Sequence, residues 1–232
     1  MLGILGGMGP LATVDFMQKV IEKTMAGNDQ EHLPMLVHNV PQIPDRSACI
    51  LSEGEDPFLA MAAGVRKLEE GGAQCIVMPC NTAHYWFDQL QTIARVPMIS
   101  IIDCVLMAIR QQGIQRVGIM ATSATVAAGM YSKKLADDNR ESLIPDEQGQ
   151  QELMDAIYAI KAGRLEEGSS AMETVFNQLT KQGAQAVILG CTEIPVGLKR
   201  IAIEKPDQCI DATALLAQTC VDWYYGQQAV AA

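Results

Sequence analysis

The sequence predicts an α/β fold of two pseudo-symmetric lobes, each a parallel sheet flanked by helices, with a functional cleft between them. Three observations predict it. Short apolar runs alternate with longer helical patterns, as βαβ units and parallel sheets require. A block of the first half recurs in the second. A cysteine stands at the same place in each copy, just past an apolar run.

In chain order, Leu2–Leu5 reads as a strand and Leu11–Met25 as an amphipathic helix. Met35–Val40 is the second strand. Asp56–Glu70 is helical and leads into the strand Cys75–Met78. Helix Tyr85–Ala94, strand Val96–Ser100 and helix Cys104–Gln111 follow. The second half opens with strand Arg116–Met120. Helices Tyr131–Asp138, Gln150–Lys161 and Leu165–Lys181 then precede strand Ala186–Leu189. Strand Gln208–Ile210 and helix Ala212–Tyr224 complete the pattern.

The repeat fixes the architecture. Leu68-Glu69-Glu70-Gly71-Gly72-Ala73-Gln74 aligns with Leu179-Thr180-Lys181-Gln182-Gly183-Ala184-Gln185, and without a gap Cys80 falls on Cys191. Weaker echoes pair Gly3-Ile4 with Gly118-Ile119 and Ile102-Asp103 with Ile210-Asp211. Residues 1–97 with 208–232 are expected to form the N-terminal lobe and 98–207 the C-terminal lobe. The last helix would then cross back to the first lobe.

Composition narrows the function. The net charge of -10, with no basic run longer than a pair, argues against nucleic acid and against anionic membrane surfaces. No apolar stretch approaches the ~18 residues of a membrane helix, and no leader pattern opens the chain. Seven cysteines in no regular framework read as reduced thiols in the cytoplasm. The three histidines make no metal-ligand pair and no C-x-x-C occurs, so no metal is expected.

The chemistry is expected at the strand ends. Pro79-Cys80-Asn81-Thr82 and Gly190-Cys191-Thr192-Glu193 each follow an apolar strand and precede a helix. Backbone N–H groups and a helix N-terminus there should lower a thiol pKa. A buried cysteine ending a core strand is the plain alternative for either motif alone. Two thiols at equivalent positions of a repeat argue against it. Cys75, inside its strand, reads as core, and Cys49, Cys104, Cys209 and Cys220 suggest no pairing. His84 lies four residues after Cys80, a spacing that suits a helix-surface histidine better than a catalytic base.

Gly6-Gly7-Met8-Gly9-Pro10, followed by Thr13, could cradle a carboxylate on backbone N–H groups, although Pro10 removes one donor. It is not a dinucleotide fingerprint. In the second lobe, Ala121-Thr122-Ser123-Ala124-Thr125 occupies the corresponding turn and offers hydroxyls. Arg46 leaves the loop Pro41-Gln42-Ile43-Pro44-Asp45 on the same edge as Cys80. A solvated loop arginine is its ordinary reading, and a fork for a second carboxylate is the functional one. Lys161, ending a helix, divides in the same way between a helix C-terminal cation and a ligand contact.

Together these residues make the chain resemble the aspartate/glutamate racemase family of cofactor-independent, two-cysteine enzymes, closest to its aspartate branch. The likeness rests on Gly6-Gly7-Met8-Gly9-Pro10 with Ala12-Thr13, Ile43-Pro44-Asp45-Arg46, Cys80-Asn81-Thr82, Thr122-Ser123-Ala124-Thr125 and Cys191-Thr192-Glu193. It implies an active site between the lobes, a small amino-acid substrate, no cofactor and a homodimer. It also implies Cys80 and Cys191 as opposed bases. Asn81, Thr82, Thr122, Thr125 and Thr192 would hold the α-carboxylate or α-amino group, and Arg46 with Lys161 the side-chain carboxylate. Met8 and Glu193 complete the expected substrate contacts. They stand where glutamate racemases usually carry serine and histidine, which favours the aspartate branch. Hydantoin racemases, maleate isomerases and malonate decarboxylases share the scaffold, so a same-scaffold reaction on a small dicarboxylate, or ligand binding without catalysis, stays as the alternative.

Overall fold

The computed structural model describes residues 1–52 and 54–231, with side chains through residue 227. The first half runs β1 (Leu2–Gly6), α1 (Pro10–Lys23), β2 (Met35–Asn39), α2 (Arg46–Ile50), α3 (Phe58–Glu70), β3 (Cys75–Val77), α4 (Phe87–Ile93), β4 (Met98–Ile99) and α5 (Ile101–Gln111). The second half runs β5 (Arg116–Ala121), α6 (Ser123–Ala127), α7 (Ser132–Asp137), β6 (Glu141–Leu143), α8 (Glu147–Lys161), α9 (Leu165–Lys181) and β7 (Ala186–Gly190). It finishes with α10 (Ile194–Gly197), α11 (Lys199–Glu204), β8 (Cys209–Asp211) and α12 (Ala212–Ala231).

Two parallel sheets form, ordered β2-β1-β3-β4 and β6-β5-β7-β8. The two orders are the same, as the repeat requires. In each, the chain steps outward from the first strand and returns to its other side, leaving a crevice at the carboxyl ends of β1 and β3, or of β5 and β7. Ligands bind at such switch points in open α/β sheets.

Side-chain alternation builds the core. Leu2 and Ile4 of β1, Cys75 and Val77 of β3, and Ala186 and Ile188 of β7 face a shared central cluster. Leu5, Ile76 and Met78 face α3 and α4 on the outer side. Val187 and Leu189 face α8 and α9. Strands covered on both faces appear as continuous apolar runs, and each buried Leu, Ile or Phe side chain contributes roughly 1.5–3 kcal/mol of transfer free energy. α12 packs on α1 and α5, and its Leu216, Ala217 and Cys220 join the central cluster. Lys19 of α1 reaches Asp211 at the end of β8 at 2.9 Å, a further tie between the halves.

Several elements differ from expectation. β6 is absent from the sequence pattern because it is a largely polar, partly exposed edge strand, held on Arg116–Gly118 of β5. β4 shrinks to two residues because Pro97 has no N–H; its carbonyl instead accepts Ile76 N at 3.0 Å. α5 begins three residues early, capped by Ser100, whose hydroxyl accepts Asp103 N at 3.2 Å. Sheet membership also changes later than the expected division at 97/98 and 207/208. Met98–Ile99 pairs with β3, and Cys209–Asp211 pairs with β7. Among the described residues no helix is long and apolar enough to cross a membrane.

Candidate active site

The two switch points face one another, and one cavity between them collects both repeat cysteines. From the first half come Met8, Arg46, Cys80, Asn81 and Thr82, with Asp45 and Ser47 beside them. The second half supplies Thr122, Lys161, Cys191, Thr192 and Glu193. The cavity holds about 10 Å³ of free space, enough for roughly one water. It adjoins a vestibule of about 340 Å³, also lined by Arg46, Lys161 and Glu193.

The glycine turn after β1 brings the first half close. Gly7 has φ +95°, and a Cβ there would lie 2.4 Å from the Val40 carbonyl carbon, so only glycine fits. The turn is less of a cradle than its sequence suggests. Gly7 N–H is already donated to Thr13 Oγ1 at 2.9 Å, and Pro10 has none to give. A Cβ on Gly9 would come within 3.2 Å of Glu193 Oε1, which measures how closely the two lobes meet.

Arg46 is not a solvated loop residue. It opens α2, which Asp45 caps by accepting Ala48 N at 2.8 Å, and only 8% of its surface is exposed. Nη1 donates to the carbonyls of Ile43 at 3.1 Å and Pro44 at 3.0 Å, and Nη2 donates to Met8 O at 3.3 Å. Of the five N–H donors of a guanidinium, two remain free. One of them, Nε–H, is buried without a protein partner. Such a donor fits an incoming carboxylate.

The Cys80 loop is tied from behind by His84, which is buried rather than on a helix surface. Its Nε2 accepts Ile101 N at 3.0 Å, so Nδ1 carries the proton and donates to Cys80 O at 2.8 Å. Burial pushes this imidazole down to about 4, against smaller opposing contributions from Cys80 O and Asp103. It is a neutral support, not a base. Thr82, Thr122 and Thr125 close a buried triangle of hydroxyls at 2.9–3.1 Å across the two halves. Thr125 sits behind the cavity wall in this triangle, whereas Thr82 and Thr122 line the cavity.

Cys191 departs from expectation. Its Sγ–H donates to Glu193 Oε2 at 3.0 Å, and Thr192 Oγ1 donates to the same oxygen at 3.3 Å. Burial first, then the Glu193 charge and this hydrogen bond, push the thiol well above the ordinary cysteine value, with Lys161 opposing. The helix that follows is a single four-residue turn, too short for its dipole to prevail. Lys161 is exposed by surface area, yet its ammonium is crowded enough that desolvation is the largest influence on it. Opposite charge, that of Glu193 first, outweighs that influence and raises its pKa. Cys75 is a fully buried core thiol, pushed up to about 12 by burial.

One residue had no motif to announce it. Tyr131 is buried just before α7, donates its hydroxyl to Asn81 Oδ1 and lies against Gly190. Among the described residues no cluster of three or more His, Cys, Asp or Glu side chains is arranged to hold a metal ion.

The family model for Asp/Glu/hydantoin racemases matches residues 5–220. The broad-specificity amino-acid racemase RacX of Bacillus subtilis is 30% identical over 98% of this chain and 100% of its own. The structure of Picrophilus torridus aspartate racemase superposes with a TM-score of 0.88 at 33% identity, covering 97% of this chain and 94% of that one. Glutamate racemase from Francisella tularensis, solved with D-glutamate, has a TM-score of 0.73 at 17% identity over 98% and 81% of the two chains, a likeness of fold.

Proposed function

The chain belongs to the Asp/Glu/hydantoin racemase family and is an isomerase acting on amino acids; from that premise we propose that it interconverts L- and D-aspartate by proton transfer between Cys80 and Cys191. One observation carries the reading. Two thiols from equivalent strand ends line a single cavity, beside a buried arginine with two donors free.

An ordinary thiol, with a pKa of about 8.5, costs only about 2 kcal/mol to ionise at pH 7, and the raised Cys191 costs more, whereas a turnover near 10 per second corresponds to a barrier of about 16 kcal/mol. The difficulty lies in the carbanion, whose charge accumulates on the α-carboxylate. Asn81 offers an unpartnered Nδ2 donor beside the place where that charge develops, and the hydroxyls of Thr82, Thr122 and Thr192 would have to turn from one another and from Glu193 to join it, in a cavity nearly closed to water. Arg46 and Lys161 would take the side-chain carboxylate. Glu193 favours the thiol form of Cys191, which suits Cys191 to deliver a proton in the direction where Cys80 removes one. The reverse direction needs the opposite arrangement. Because the enantiomers have equal free energy, kcat/KM must nevertheless agree in the two directions.

Chiral chromatography over a panel of L-amino acids tests the assignment. Aspartate should be turned over best. Arg46→Ala should reduce kcat/KM for aspartate about 100-fold, the loss of a charge-assisted bidentate contact, and affect a neutral substrate far less. Equal losses on both would make Arg46 a structural residue, and no inversion of aspartate would remove it as the substrate.

A further inference from the structure

Asn81 is 1% exposed and lines the cavity directly after Cys80. Its side-chain carbonyl oxygen accepts the hydroxyl of Tyr131, a residue of the other half of the chain. Its Nδ2 is buried with no partner in the protein. A primary amide can turn over, exchanging donor and acceptor ends, unless a neighbour distinguishes them. Here a phenol hydroxyl is donated to the oxygen end and no protein group meets the nitrogen end, so the Tyr131 bond anchors this orientation.

We infer that Tyr131 is a positioning residue: it fixes the Asn81 amide with its NH₂ group facing the cavity, ready to meet the substrate's α-carboxylate. The inference rests on the racemase reading above and extends it to a residue that never touches substrate. Three features support it. The ring edge of Tyr131 lies so near Gly190 that a Cβ there would come to 3.1 Å, so one side chain abuts the residue before Cys191 and bonds the residue after Cys80. Tyr131 is 1% exposed and packed in the central cluster, which removes water as a competing acceptor. Burial, then the nearby Cys104, Asp103 and Cys191, push the phenol well above its ordinary pKa, so it remains a donor throughout the working range.

Without the hydroxyl the amide is free to flip and present its oxygen to a carboxylate, where it repels rather than stabilises. The penalty grows as charge moves onto the carboxylate in the transition state, so it falls on kcat more than on KM.

The test is a double-mutant cycle read by chiral chromatography, with Tyr131→Phe, Asn81→Ala and the pair. Asn81→Ala should lower kcat about 100-fold, as removal of a charge-stabilising donor does. Tyr131→Phe, which keeps the ring against Gly190, should lower kcat about tenfold with KM changed less than about twofold. In the Asn81→Ala background, Tyr131→Phe should change kcat less than about twofold, because the group it positions is gone. The same tenfold loss in both backgrounds, or an unchanged kcat in Tyr131→Phe, overturns the inference. Should Tyr131→Phe fail to fold, Asn81→Asp decides: it still accepts from Tyr131 but has no NH₂ group. A kcat near wild type in that variant overturns the inference, and a loss comparable to Asn81→Ala supports it. A wild-type chain that inverts no amino acid overturns the racemase reading and this inference together, whereas an active wild type with an additive cycle overturns this inference alone.

Discussion

The loops after β3 and β7 occupy equivalent places in two halves of the same topology, yet they treat their cysteines differently. Cys80 is supported through its backbone, by a neutral histidine on its carbonyl, and its neighbour Asn81 is fixed by Tyr131. Cys191 is engaged through its sulfur, by the carboxylate of Glu193 two residues on. A duplicated scaffold therefore places two thiols symmetrically while local residues make the resting state asymmetric. The backbone supplies the geometry that a two-base reaction would need, and at Cys191 the third residue of the motif, Glu193, adds to burial in raising the thiol pKa.

The largest effect should come from the sulfurs themselves. Cys80→Ser and Cys191→Ser should each reduce racemisation about 10³-fold or more, since a hydroxyl is a far poorer base at neutral pH. Cys75→Ala, at a core thiol, should leave kcat near wild type. A variant of either cavity cysteine with wild-type turnover, measured by chiral chromatography, would break the comparison at its root.

His84 gives the next effect, on the Cys80 side only. Burial lowers its pKa to about 4 in the folded protein, against the ordinary 6.5, so the unfolded chain takes up a proton that the folded protein refuses. The stability due to the neutral ring is complete above about pH 6.5 and is lost as pH falls toward 4, amounting to about 2 kcal/mol at pH 5. Urea unfolding at pH 7 and pH 5 should show this loss in wild type, and His84→Gln should lack that portion of it. Identical pH slopes would show that His84 does not hold the loop as described.

A smaller effect sharpens the difference at sulfur. Glu193→Gln removes the charge that, after burial, raises the Cys191 pKa, so at pH 8 alkylation of Cys191 by iodoacetamide should quicken severalfold. Alkylation of Cys80 should change little. Peptide mass spectrometry gives both rates, and an unchanged Cys191 would leave burial alone as the cause of its raised pKa.

Much of this was legible in the chain. β1, β3, β5 and β7 announce themselves because burial on both faces demands continuous apolar runs, and the gapless repeat carries Cys80 onto Cys191. β6 did not, since an edge strand with polar residues has no period to read. Arg46 could be named but not placed: its burial depends on the carbonyls of Ile43, Pro44 and Met8, the last from a distant turn. The lowered thiol pKa expected from helix N-termini failed at Cys191 because sequence shows the helix but not the desolvation or the direction of Glu193. Tyr131 was illegible for a related reason. Its partner lies 50 residues away, and a tyrosine at a helix start carries no signal of what its hydroxyl will meet.

The central claim is that two monoprotic thiols face opposite sides of one substrate carbon. Racemisation of L-aspartate in D₂O, stopped at low conversion and resolved into enantiomers for mass spectrometry, tests it most directly. The thiolate that removes the α-hydrogen holds that hydrogen alone, while the opposite thiol delivers one already exchanged with solvent. D-aspartate should therefore carry α-deuterium from the first turnovers, and recovered L-aspartate should remain nearly unlabelled. Early deuterium in both enantiomers would contradict the account, as would unlabelled D-aspartate.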